Sequence, residues 1–184
     1  MTVSVIRGAA LVASPWKNGG GITREIAACA HAWRASIAEI DRPGPFSRFD
    51  GIDRVLVLLD GSGLMLDAHA VMRPFDIARF AGESPIDARL TDGPVRVFNL
   101  MTHRDGARAS VDLWRTSARR IIDGGTVLLH CAQGPLDVRI DQIRVTLTKT
   151  DTLRIDAAHD VEVEVEMQGD GVLLCASLNT EVES

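Results

Sequence analysis

Apolar and polar positions alternate cleanly with a period of two through the second half of this chain, and no long amphipathic helix is visible anywhere. In the second half Leu136, Val138 and Ile140 alternate with Asp137 and Arg139, and Ile143, Val145 and Leu147 with Arg144 and Thr146. Val161, Val163, Val165 and Met167 likewise alternate with Glu162, Glu164 and Glu166. Such patterning predicts antiparallel strands with one face in a core and the other in water. The first half predicts strands over residues 3–12, 22–29, 33–40, 54–59, 64–68 and 95–101. Residues 54–59 are almost continuously apolar, which predicts a strand covered on both faces. Asp60-Gly61-Ser62-Gly63 predicts the hairpin turn that follows it. Residues 116–122 read as a turn of helix linking the halves.

The pattern also assigns faces. On 33–40, Trp33, Ala35, Ile37 and Glu39 share one side, and Arg34, Ser36, Ala38 and Ile40 the other. On 95–101, Val95, Val97, Asn99 and Met101 fall together. The two halves echo each other: residues 58–64 resemble 129–136 in layout, and Gly93-Pro94-Val95 and Gly171-Val172-Leu173 each open a late apolar strand. The expectation is an all-β chain of two duplicated β-barrel units. Residues 1–105 form an N-terminal unit carrying the pocket, and 106–184 a C-terminal unit that is mainly structural.

Composition narrows the function. Of 184 residues nearly half are apolar, enough for a proper core, and the net charge of −5 argues against a nucleic-acid or anionic-membrane partner. Residues 1–14 lack the cationic start of a signal peptide, and no apolar run approaches a membrane span. The three cysteines, Cys29, Cys131 and Cys175, form no CxxC pair and read as buried free thiols in a reducing compartment. These features predict a soluble cytoplasmic protein.

The chemistry concentrates in Pro15-Trp16-Lys17-Asn18-Gly19-Gly20-Gly21-Ile22-Thr23-Arg24-Glu25-Ile26. Three glycines in a row allow positive φ or close backbone approach, and around them stand an aromatic ring, an amine, an amide, a hydroxyl, a guanidinium and a carboxylate. It is not a Walker loop, because Lys17 precedes the glycines, and a strand rather than a long helix follows, which excludes the dinucleotide fingerprint. A plain glycine turn with Trp16 as a core plug is the alternative.

The inward set of the second half carries no charged side chain, whereas the first half mixes Asn99, Arg24, Arg34, Ser36 and Glu39 into faces that otherwise look buried. Buried polar groups must form a network or line a wet pocket, so the site is placed in the first half. Its cations and amides, Lys17, Asn18, Arg24, Arg34, Arg54, Asn99 and Arg104, suit a carboxylate. Trp16, Trp33 and Phe46 could cover its flat or apolar part. Arginines paired with Glu25, Asp50 or Asp53 are the alternative. His31, His69, His103, His130 and His159 show no HxH, HxxxH or His/Glu spacing, so no metal and no cofactor is expected.

The glycine-loop segment, Trp33-Arg34-Ala35-Ser36-Ile37-Ala38, Gly44-Pro45-Phe46-Ser47, Gly51-Ile52-Asp53-Arg54 and Phe98-Asn99-Leu100-Met101 together resemble the HutD/Ves family. The strong motifs run from about residue 14 to 104. The resemblance implies a double-stranded β-helix of the cupin (RmlC-like) type, a bicupin in one chain. It further implies metal-independent binding of a small carboxylate metabolite such as formylglutamate or urocanate, regulating histidine utilisation, or else a stress-related branch. Carried onto this sequence, the implied pocket uses Trp16, Lys17, Asn18, Gly19, Gly20, Thr23, Arg24, Glu25, Phe46, Ser47, Arg54, Asn99, Met101 and Arg104. The rival readings are an enzyme in the same pocket with Glu25 as acid or base, and an interaction protein. A homodimer through sheet faces is the expected assembly.

Overall fold

The computed structural model describes residues 1–67, 71–115, 117–122, 125–157 and 163–180. Among them the chain is all-β, with one 3-10 turn at Gly8–Ala10. Contacts divide it into two units, Leu11–Gly106 and a second that joins Met1–Ala10 to Ala107–Ser184.

In chain order the strands are β1 (Thr2–Ile6), β2 (Ala13–Pro15), β3 (Gly21–Cys29), β4 (Trp33–Ile40), β5 (Gly44–Pro45) and β6 (Ile52–Asp60). Then come β7 (Leu64–Leu66), β8 (Ile77–Ala81), β9 (Asp87–Leu90), β10 (Val95–His103), β11 (Ala107–Trp114) and β12 (Ala118–Ile122). The last six are β13 (Thr126–Gln133), β14 (Leu136–Ile140), β15 (Ile143–Leu147), β16 (Thr152–Asp156), β17 (Val163–Gln168) and β18 (Val172–Thr180).

In the unit of residues 11–106, a six-stranded sheet runs β2-β3-β4-β10-β6-β8 and a three-stranded sheet β5-β9-β7. In the other unit the sheets run β1-β16-β13-β18-β11 and β12-β17-β14-β15. The order β4-β10-β6-β8 thus recurs as β11-β18-β13-β16, and β5-β9-β7 as β12-β17-β14. The named pairings are antiparallel throughout.

The interiors differ as the alternation predicts. Leu129, Cys131, Leu136, Val138, Ile140, Leu153, Met167 and Leu173 pack one apolar core in the unit that holds β11–β18. In the unit of residues 11–106, Ile40, Leu56, Leu58, Leu64, Leu66, Val95 and Val97 form the core, and Trp16, Phe46 and Phe80 pack against its edge. Leu56 through Leu59 are buried consecutively, so β6 is covered on both faces.

Several expectations need correction. Residues 3–12 are not one strand: β1 ends at Ile6 and pairs with β16, while β2 pairs with β3 in the other unit. The chain breaks there because Gly8 lies against Thr150, where any Cβ would stand 2.0 Å from its hydroxyl, and its N–H is held by Asp151. Residues 118–122 are strand rather than helix, paired with β17; Ile121 is exposed and Ile122 buried, a period of two. Thr116 in that segment, Ala68, His69, His159, Val161 and Glu162 lie outside the described residues. Cys29 is exposed at the end of β3, not buried; Cys131 and Cys175 are buried free thiols, pushed up to about 11 and about 12 chiefly by desolvation.

Candidate functional site

A cavity of about 560 Å³ opens on the six-stranded sheet of the unit of residues 11–106. Strand register builds its floor in rows. Met101 of β10 pairs with Arg34 of β4 on one side and Arg54 of β6 on the other; Asn99 lies between Ser36 and Leu56; Val97 lies between Ala38 and Leu58. Because side chains alternate across a strand, these rows face one way. The floor therefore grades from cationic through polar to apolar. The walls come from Ser14 to Asn18 with Thr23, and from Pro45, Phe46, Ser47 and Phe49.

Arg54 is the centre of this arrangement. It is only 8% exposed, and its Nη2 and Nε donate to Oδ1 of Asn99 at 3.0 and 3.3 Å. Its guanidinium lies over the rings of Phe80, Phe46 and Phe49, at 5.0, 5.1 and 5.8 Å from their centroids. Desolvation by burial pulls its pKa down to about 10, so it stays charged at neutral pH. Among the described residues no carboxylate is paired with it. Aromatic faces and one amide oxygen offset part of the desolvation, but a buried cation calls for an anion.

The aromatic wall is tied together. Trp16 Nε1 donates to Thr23 Oγ1 at 2.8 Å, its ring meets Phe46 edge-on at 6.5 Å, and Phe46 stacks on Phe80 at 6.4 Å. The loop behind Trp16 is a compact turn. Gly19 N donates to Trp16 O, Gly20 N to Asn18 Oδ1, and Trp16 N to Gly21 O.

Of the residues singled out from the sequence, Trp16, Lys17, Asn18, Thr23, Phe46, Ser47, Arg54, Asn99 and Met101 line the cavity. Gly19 and Gly20 do not; they shape the turn, Gly19 at φ +68° and Gly20 buried with its carbonyl accepting from Asp41 and Arg42. Arg24 points to the opposite face of the sheet, where its Nη1 donates to Glu39 at 2.7 Å, because Thr23 takes the cavity side. Glu25 is half-exposed and accepts from Nε of Arg34 at 2.9 Å. Arg104 lies away from the cavity, binding Glu83 through two oxygens at 2.6 and 2.7 Å and Asp53 at 2.7 Å. These hydrogen bonds hold Glu83 down at about 2.

Arg34, Ser36, Pro45 and Phe49 also line the cavity, together with Ser14, Pro15, Ala38, Ile40, Leu56 and Val97. Arg34 was already among the candidate cations, and pairing its shared face with Asn99 and Met101 would have placed Ser36 beside it in the site. Among the described residues no group of three or more His, Cys, Asp or Glu is placed to hold a metal ion. No helix there is long and apolar enough to cross a membrane.

The family model described as HutD matches residues 8–175. An uncharacterised protein in the hutC 3′ region of Pseudomonas putida is 34% identical over 166 residues, covering 84% of this chain and 87% of that protein. Protein Ves of Cronobacter sakazakii is 44% identical over 110 residues, 52% of this chain and 58% of Ves. HutD from Pseudomonas fluorescens SBW25, solved under a formate condition, superposes with a TM-score of 0.87 at 29% identity, covering 98% of this chain and all of that one. The bacterial pirin YhhW of Escherichia coli, in complex with nickel(II), shares the cupin-like fold alone: TM-score 0.65, 9% identity, 98% and 100% covered.

Proposed function

This chain belongs to the HutD family, and we propose that it binds a small carboxylate metabolite whose carboxylate sits on Arg54. The observation that carries this reading is a buried guanidinium, aimed into a cavity, whose partners among the described residues are the amide oxygen of Asn99 and three phenyl rings, with no carboxylate. Arginine presents a planar fork of donors, and Asn99 occupies one side of it. The remaining N–H groups suit a carboxylate bidentately, in a dry setting where such a bond is strong. The apolar row of Ala38 and Val97 and the edge formed by Trp16 and Phe46 would take the ligand's body.

Formylglutamate and urocanate are the ligands that the family name suggests, with binding coupled to control of histidine utilisation. The repeated strand order supports reading the two units as a bicupin in which the pocket survives in one copy and apolar packing fills the other.

The test is a thermal-shift series on the purified protein with formate, butyrate, urocanate, glutamate and formylglutamate. Ligand at about 100 times its Kd should add about 2.7 kcal/mol of stability. The shift should vanish in Arg54→Met, whose own melting temperature should stay near the wild-type value, since an apolar chain replaces a desolvated cation among phenyl rings. A complete panel without any shift, or shifts of equal size in Arg54→Met, would overturn the proposal.

A further inference from the structure

We infer that the ligand carries two carboxylates, the second held by Arg34; this rests on the reading of Arg54 as the seat of the first. The register of the sheet is the supporting observation. Arg34 and Arg54 pair with the same residue, Met101, from its two sides, so both stand in one row and on one face. Neighbouring strands lie about 4.8 Å apart, which puts the two Cα atoms on the order of 10 Å from each other. Both side chains line the cavity.

The two cations are not equivalent. Arg54 is buried among rings and fixed by Asn99. The Arg34 side chain is 42% exposed at the rim, and its Nε is held by Glu25, whose side chain is 53% exposed. An exposed pair of this kind is weak, and a ligand carboxylate can take the place of Glu25 by exchanging one charge-assisted bond for another. Ser36, Asn99 and Met101 floor the space between the cations, which suits a short chain with little bulk. A second cavity of about 390 Å³ adjoins the first through Arg34, Phe49 and Met101, so the far end of a ligand has room beside Arg34. A monocarboxylate leaves Arg34 on Glu25; a diacid of matching length engages both arginines.

Titration calorimetry on the intact protein decides this with butyrate as the single-carboxylate probe and succinate, glutarate and adipate as diacids. At low salt one diacid should bind about tenfold more tightly than butyrate, the worth of one well-formed charged contact. That advantage should shrink in high salt. Arg34→Gln should bring the ratio of diacid to butyrate affinity close to one, and Glu25→Gln should raise it by removing the competing carboxylate. Both positions are half-exposed, and unchanged melting temperatures would verify that the variants fold. Butyrate binding as tightly as every diacid, or a diacid advantage that persists in Arg34→Gln, would overturn the second-carboxylate inference while leaving the Arg54 reading intact. Absence of binding by butyrate and all three diacids would overturn the second-carboxylate inference, and the Arg54 reading would fall with it only if the thermal-shift panel also gave no shift.

Discussion

Oδ1 of Asn99 accepts two hydrogen bonds from Arg54 across the adjacent strands β10 and β6, at 3.0 and 3.3 Å, in a buried setting. An amide oxygen carries only a partial charge, so the guanidinium keeps its full positive charge in a place that water does not reach freely. Asn99→Asp would supply the missing charge from within the protein. Its carboxylate would stand where Oδ1 now stands, and its pKa would be held down by Arg54. We expect this variant to melt at or above the wild-type temperature at pH 7 and to bind carboxylates at least about tenfold more weakly. Undiminished carboxylate affinity in Asn99→Asp would mean that the ligand does not use Arg54.

The three glycines at the start of β3 should separate sharply in their tolerance of a methyl group. A Cβ on Gly21 would lie 2.2 Å from the backbone oxygen of Glu39, so β3 would have to move away from β4 at its first pair. Gly19, at φ +68°, has nothing within 4 Å of the position its Cβ would take, and only the left-handed backbone opposes substitution. Gly21→Ala is therefore expected to cost about 3 kcal/mol and Gly19→Ala about 1 kcal/mol, read from urea denaturation midpoints. Equal costs would show that the close approach of β3 to β4 relaxes without strain.

Thr23→Val tests whether the aromatic wall is held by its one polar tie. The substitution keeps the shape of the side chain but removes the acceptor for Trp16 Nε1, now 2.8 Å away. The edge-on contact of Trp16 with Phe46 then loses its anchor. Stability should fall by about 1 kcal/mol, tryptophan emission should change, and carboxylate affinity should fall severalfold. Unchanged emission and affinity would assign the Trp16–Thr23 bond to folding alone.

Much of this site was legible because strands have a period of two. The shared face of Arg34, Ser36, Ala38 and Ile40, and that of Val95, Val97, Asn99 and Met101, follow from counting alone, and all of these but Val95, which lies in the core, line the cavity. What counting does not give is the phase of a strand whose two faces are both mixed. On β3 the alternating Thr23, Arg24 and Glu25 offer polar groups to either side, and only pairing with β4 sends Arg24 to Glu39 and away from the cavity. Partnering across long sequence separation is equally silent. Arg104 reads as one more loose cation near a motif, yet Asp53 and Glu83 consume it. The triple glycine advertised ligand contact, while its three members serve a turn, a buried carbonyl and the close approach of β3 to its neighbour β4. The break between β1 and β2 was hidden for a similar reason: its cause is Asp151, more than a hundred residues away.

Asp151 makes the clearest case for acid sensitivity. It is buried, and burial by itself would raise its pKa. The backbone N–H of Thr148, Nη1 of Arg7 at 2.7 Å, the hydroxyl of Thr148 and the backbone N–H of Gly8 together outweigh that and hold it below the ordinary aspartate value. A carboxylate depressed in the folded state contributes stability that is fully present above its unfolded pKa and is lost as pH falls through the folded one. Asp151→Asn removes the charge and turns one acceptor into a donor facing other donors, so it should cost about 3 kcal/mol at pH 7. The difference between wild type and variant should narrow as the pH is lowered below about 4, because the wild-type carboxyl becomes neutral too. Urea unfolding at a series of pH values would read this directly. A gap that stays constant down to pH 2 would show that Asp151 acts through shape rather than charge, and that the acid sensitivity of this unit lies in other carboxylates.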